Sequence, residues 1–234
     1  MVLGLVLSDE RGRTFASLDT YLATADEDGL QVHQYADARI STRLPDGRAV
    51  FVEIGTAYPD AGRVTVRGHR DRRCAVVATL RVPSWAAGAA VVDRDGHRKA
   101  GPGSVSMRRR FSVSEEIHLD LPVAPRWTAA DPRIDAVRGC VAVERGPLVL
   151  CAESTDLPGG PHVDRVRVDP DRPLRDDGAV TASGVLVEHT DAAWPYGQAG
   201  QRDRAGAPVR IPLVPYHSWA ARGPSTMRIW LPTV

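Results

Sequence analysis

The sequence predicts an all-β protein: two β-sandwich, jelly-roll-like domains preceded by one short helix. Three observations carry this. From Leu30 onward apolar residues recur with period two, as on strands with one buried face. Clusters of Gly, Pro and Asp punctuate these runs at sandwich-like spacing. No long amphipathic helical pattern occurs after residue 26, which disfavours βαβ units.

Residues 13–25 are the one helical candidate, with Phe15, Leu18 and Leu22 at three- and four-residue spacing and Tyr21 on the same side. The acidic run Asp26-Glu27-Asp28 ends it, with Gly29 as the C-terminal punctuator. Next, "LQVHQY" sets Leu30, Val32 and Gln34 against Gln31, His33 and Tyr35. "AVFVEIG" comes after a Pro45-Asp46-Gly47 turn, and "GRVTVRG" and "CAVVATLRV" lie between glycine and charged clusters. "EEIHLDLPV" alternates Ile117, Leu119 and Leu121 with His118 and Asp120. "CVAVERGPLVLCAE" reads as two strands broken at Arg145-Gly146-Pro147. The closing run "LVPYHSWAARGPSTMRIWLP" reads as two extended segments about a Gly223-Pro224 turn, the second alternating Met227, Ile229 and Leu231 with Arg228 and Trp230. Residues 123–135 form the expected linker. The expected parts are therefore 1–25, the apolar start and helix; 26–125, a first sandwich; and 126–234, a second. Residues 154–178 and 195–208 are expected to be exposed connections.

Hydrophobic residues at 43% and charged residues at 25% give an ordinary globular composition. Thirty basic against 29 acidic residues leave a net charge of +1, so no overall field draws the chain to nucleic acid or an anionic membrane. The apolar start "MVLGLVL" lacks a basic flank, reaches Asp9 and Glu10 too early for a signal peptide, and is too short to span a bilayer. Three cysteines, Cys74, Cys140 and Cys151, are too few and scattered for a disulfide scaffold or zinc motif, and are expected as buried thiols. The odd count leaves one thiol unpaired, which points to a reducing, cytoplasmic compartment.

No phosphate loop, HExxH, GxSxG or paired-cysteine zinc signature is present. Glu53, Glu144, Glu153 and Glu188 could supply the paired carboxylates of glycoside cleavage, but solvated or salt-bridged strand carboxylates are the plainer expectation. His33, His118 and His189 read as surface or packed histidines, since metal sites need several converging ligands. Arg108-Arg109-Arg110 reads as a solvated strand. Trp85, Trp127, Trp194, Tyr196, Tyr216 and Trp219 could stack on sugar faces, although such rings more often plug a core or interface.

Four segments in order, "LRVPSWA" (80–86), "SMRRRFSVSEEIHLDLPV" (106–123), "GCVAVERGPLVLCAESTD" (139–156) and the closing run, resemble glycoside hydrolase family 127, the β-L-arabinofuranosidases. "RTFASLDTYLATADEDGLQVHQYA" is similar to the segment just C-terminal to that family's catalytic cysteines. The resemblance covers the C-terminal part of a family member. It implies β-sandwich domains beside a helical (α/α)6 barrel, with residues 13–25 as the last barrel helix. It also implies hydrolysis of non-reducing-end β-L-arabinofuranosides by the full enzyme. The family's Cys-Cys-x-x-Asn motif, which supplies the nucleophile and a zinc ligand, has Val6-Leu7-Ser8-Asp9-Glu10 in its place. The family's Trp in its R-x-W-x-x-G-D segment is Phe111 here, with Ser114-Glu115 for Gly-Asp. The expectation is therefore no catalytic, cofactor-binding or metal-binding residue in this chain, with zinc belonging to the full family enzyme, and a chain that is inactive alone. The barrel is expected on another polypeptide, or lost. The expected partners are a separate barrel chain or a second copy of this one, and carbohydrate. A stand-alone carbohydrate-binding or protein-interaction module is the alternative.

Overall fold

The computed structural model describes residues 17–68, 74–111, 115–159, 162–189 and 203–234. The chain divides into two compact units, 1–123 and 124–234.

In the first unit β1 (Ala23–Asp26) turns back antiparallel onto β2 (Gly29–Val32). β2 runs parallel to β6 (Cys74–Val82), which pairs antiparallel with β9 (Gly103–Phe111) to complete a four-stranded sheet. A second, antiparallel sheet has the order β3 (Ala38–Arg43), β4 (Ala49–Thr56), β5 (Arg63–Gly68), β10 (Glu116–Asp120), β7 (Ala90–Asp93), β8 (Gly96–Lys99). The period-two pattern explains the packing. Leu30 and Val32 from β2 and Ala78, Leu80 and Val82 from β6 meet Val50, Val52 and Ile54 from β4, with Val64, Val66, Ile117 and Leu119, in one buried cluster. Each such side chain removed from water contributes about 1.5–3 kcal/mol. The Pro45-Asp46-Gly47 turn closes as the sequence predicts: Leu44 N–H donates to the Arg48 carbonyl, and Gly47 takes φ +84°.

The expected helix at 13–25 is corrected where it can be seen. Leu18–Tyr21 form a single 3₁₀ turn, and β1 already begins at Ala23; residues 13–16 lie outside the described residues. Thr20 and Thr24 on this stretch favour extended or local bonding over a helix. Thr20 Oγ1 bonds the Ser17 carbonyl, and Thr24 Oγ1 bonds Gln31 across the hairpin.

The second unit contains β11 (Pro125–Ala129), β12 (Cys140–Arg145), β13 (Leu148–Glu153), β14 (Val166–Val168), β15 (Arg175–Asp176), β16 (Val180–His189), β17 (Asp203–Pro215), β18 (Met227–Arg228) and β19 (Leu231–Pro232). The main path is β11-β12-β13-β17-β16-β14. β19 pairs with β12 through Val141↔Leu231, while Thr233 bridges Val168 of β14. Val234 N–H then donates to the Val168 carbonyl at 3.0 Å, and Thr233 N–H to that of Gly139 at 3.0 Å. The terminal residues thus tie β12, the second strand of the path, to β14 at its end. Val143, Leu150, Val166, Val168, Ala182, Ile211, Leu213 and Leu231 fill the enclosed core.

Three connections differ from expectation. Residues 125–129 of the expected linker are a strand, because β12 offers an open edge that they cover. Within 154–178, Leu157, Val163, Val166 and Val168 are buried, since their apolar side chains cap the core despite the surrounding Pro, Gly and Asp. Residues 203–208 belong to β17, while 195–202 lie outside the described residues. The final alternation does not make one strand either: β18 lies along β13, and the chain then crosses to β12 as β19.

Leu231 is 1% exposed and sits at the closing seam, so Leu231→Ala should cost about 2–5 kcal/mol. Urea unfolding monitored by tryptophan fluorescence will measure it, with the loss confined to the second unit's transition.

Candidate functional site

Among the described residues the one fully buried charged side chain is Glu153, at the end of β13. Its position is set by the strand: Leu150 and Ala152 face the enclosed core, and by alternation Glu153 shares the opposite face with Cys151, where both have no exposure. A buried carboxylate must be compensated. Ala220 N–H donates to Oε1 at 3.2 Å, Ser225 Oγ donates to the same oxygen, and Arg222 Nη2 donates to Oε2 at 2.6 Å. Arg222 also grips Asp156 with both terminal nitrogens, at 2.7 and 2.6 Å. The bonds from Ser225 and Arg222 outweigh burial and hold the Glu153 carboxyl below the usual carboxylate range. The two carboxylates in turn raise the Arg222 guanidinium.

These donors all lie on the loop between β17 and β18, so Glu153 fixes that loop from beneath. Ala220 takes φ +61°, the one left-handed non-glycine among the described residues, and its N–H is one of those aimed at Glu153. Above this anchor Tyr216 and Trp219 stand 46% and 40% exposed. Their rings are near-parallel, 9° apart in plane with centroids 6.5 Å apart. The loop therefore presents two flat aromatic faces from a rigid base.

The four sequence-suggested carboxylates are engaged separately. Glu53 pairs with Arg39 at 3.3 Å, Glu144 with Arg126 and the Thr128 hydroxyl, and Glu153 as described, while Glu188 is exposed on β16. Glu153 has its oxygens occupied and no access to water, so it is a structural anchor rather than a proton-transfer group. His33 Nε2 lies 2.7 Å from the Thr24 hydroxyl, and His118 lies between Thr65 and Glu116. The side chains of His189 and Cys74 lie outside the described residues, as do Trp194, Tyr196 and the Val6–Glu10 stretch. Cys151 is buried, and burial, reinforced by Glu153 and Asp156, pushes its thiol up to about 11. Its thiolate is scarce at neutral pH, unlike that of a nucleophile. Cys140 is only half-buried, because it sits at the start of β12 beside the terminal strand rather than in mid-core. Trp85 and Trp127 pack against the two cores, and Trp127 Nε1–H points to the Arg172 carbonyl at 3.4 Å. Arg108 is exposed on the outer face of β9. Among the described residues no three His, Cys, Asp or Glu side chains converge as metal ligands, so these residues do not fit a zinc site. Among them, too, no helix is long and apolar enough to cross a membrane.

The sequence of the first unit matches the "Beta-L-arabinofuranosidase, GH127 middle domain" over residues 29–123, and the second matches the "Glycoside hydrolase family 127 C-terminal domain" over 125–232. The chain belongs to glycoside hydrolase family 127. Within this family it is 30% identical, over 93% of its length, to a non-reducing end beta-L-arabinofuranosidase of Bifidobacterium longum subsp. longum, of which it covers 35%. A crystal structure of a family 127 beta-L-arabinofuranosidase from Geobacillus stearothermophilus T6 is 28% identical, superimposes with a TM-score of 0.77, and matches 96% of this chain and 37% of its own. A further family 127 beta-arabinofuranosidase structure, at 22% identity and TM-score 0.79, matches 96% of this chain and 38% of its own, and shares the fold. The chain thus spans little more than a third of the length of these relatives.

The anchor has two measurable outcomes. A carboxyl lowered on folding stabilises the fold fully above its unfolded value, about 4.3, and loses that contribution as pH falls through the folded value. Wild type should therefore exceed Glu153→Gln in stability at pH 7 by roughly 1–3 kcal/mol, and the gap should close as denaturation is repeated below about pH 4. Iodoacetamide at pH 8 should leave Cys151 unmodified in the native chain and alkylate it on unfolding, read by peptide mass mapping.

Proposed function

We propose that this chain is the accessory β-sandwich region of a non-reducing-end β-L-arabinofuranosidase, supporting a catalytic barrel instead of cleaving glycosides itself. The observation that carries this reading is the match of nearly the whole chain to about a third of the Bifidobacterium longum enzyme, with residues 29–123 and 125–232 matching the family's middle and C-terminal domains. Glycoside cleavage with a covalent intermediate needs a positioned nucleophile and a proton donor facing one bond. The buried carboxylate and thiol described in the second unit serve packing and loop anchoring. On this reading zinc and the acid/base glutamate belong to the barrel, and the Tyr216–Trp219 face is a surface for that larger enzyme.

The purified chain should give no turnover of an aryl β-L-arabinofuranoside above buffer, with or without added zinc. Zinc-dependent turnover abolished by a chelator would overturn the proposal. Deleting the matched segment from the Bifidobacterium longum enzyme should lower its thermal midpoint and soluble yield; an unchanged midpoint would remove the supporting role.

A further inference from the structure

The first unit carries an open cleft of about 570 Å³ over the outer face of its four-stranded sheet, within the size range of small-molecule sites. Its floor is a row of neutral polar side chains set by strand register. Gln31 of β2 lies opposite Thr79 of β6, which lies opposite Ser106 of β9. The Thr79 and Ser106 hydroxyls are 2.8 Å apart. The Gln31 amide is fixed in orientation: Nε2 donates to Asp26 Oδ1 at 2.7 Å, and Oε1 accepts from Thr24 at 3.0 Å. These groups are ordered before any ligand arrives, which lowers the cost of binding.

The walls add two further properties. Val77 supplies apolar carbon beside the hydroxyl row, and Leu44, at the cleft's edge, belongs to the buried core. Gly29, at φ +125°, brings the β1–β2 turn hard against β6: a Cβ there would lie 2.2 Å from the Val77 carbonyl oxygen. Three carboxylates of the β1–β2 turn, Asp26, Glu27 and Asp28, outnumber Arg48 and Arg108, and Arg48 is already paired with Asp46 at 2.6 Å. The surplus of negative charge disfavours an anionic ligand, and among the described residues no three carboxylates converge to hold a metal cation. The lining suits a neutral molecule with many hydroxyls, which can donate to the carboxylates, accept from the Arg108 guanidinium and lay its C–H face on Val77.

We infer that this cleft is a carbohydrate-binding site for a short neutral oligosaccharide. That the sugar contains L-arabinose rests on the proposed function; the preference for a neutral polyol rests on the cleft alone.

The test is titration of the ¹⁵N-labelled full chain, monitored by amide chemical shifts, with neutral L-arabinotriose and with an anionic trigalacturonate as comparator. The neutral trisaccharide should produce saturable shifts centred on Gly29, Gln31, Thr79 and Ser106, with millimolar affinity. The double variant Thr79→Val, Ser106→Ala removes hydroxyls from the sheet's outer face and should weaken binding roughly tenfold at an unchanged thermal midpoint. If that variant lowers the midpoint, Arg108→Ala, an exposed site, replaces it, with weaker binding expected again. No saturation at tens of millimolar, tighter binding of the trigalacturonate, or binding unaffected by the variants would overturn the inference. Failure here leaves the accessory role intact, whereas turnover in the hydrolysis assay would overturn that role and leave this cleft standing.

Discussion

The second unit depends on how one short segment, 231–234, ties an inner strand, β12, to the edge strand β14. An open strand path leaves unpaired N–H and C=O groups at its margins, and water or another chain must satisfy them. Here residues 231–234 do so: they pair with β12 on one side and hydrogen-bond β14 on the other, with Leu231 driven into the core between them. Strand pairing and apolar burial are supplied by the same few residues.

Delivering the terminal segment to that seam requires the preceding loop to turn sharply, and Glu153 governs the turn. A fully buried charge is costly unless compensated, so it demands the Ala220 N–H, the Ser225 hydroxyl and Arg222 in one geometry. The left-handed Ala220 is held by that demand. The aromatic pair Tyr216–Trp219 inherits its fixed presentation from the same contacts. The first unit uses plainer means: two sheets, alternate residues turned inward, and a polar outer face whose hydroxyls and amide bond one another.

Sequence pattern reveals the all-β class because period-two burial is a local property, visible in runs such as Val50-Val52-Ile54 and Ile117-Leu119. The resemblance to family 127 is legible in the order of several short segments, and the domain matches show it. The expected helix at 13–25 fails because its three- and four-residue spacing is shared by a short turn leading into a strand, and only pairing with β2 separates the two. Strand β11 is invisible in the sequence because edge strands flanked by prolines carry little periodicity. The role of Glu153 is equally hidden. Its three partners lie 67 to 72 residues away, a separation at which sequence pattern says nothing about contact. The cleft on the first sheet has no sequence signature because Gln31, Thr79 and Ser106 are individually ordinary and are united only by register.

Closure by the tail also sets an order of events during synthesis. The described strands of the first unit are all made by Asp120, so their core residues can meet while the rest of the chain is still being made. The second unit cannot: β12 and β14 are translated early but stay unjoined until Thr233 emerges from the ribosome. Its apolar interior is therefore exposed for as long as the intervening residues take to appear. A chain made only as far as β18 therefore has both β12 and β14 but not the residues that tie them together.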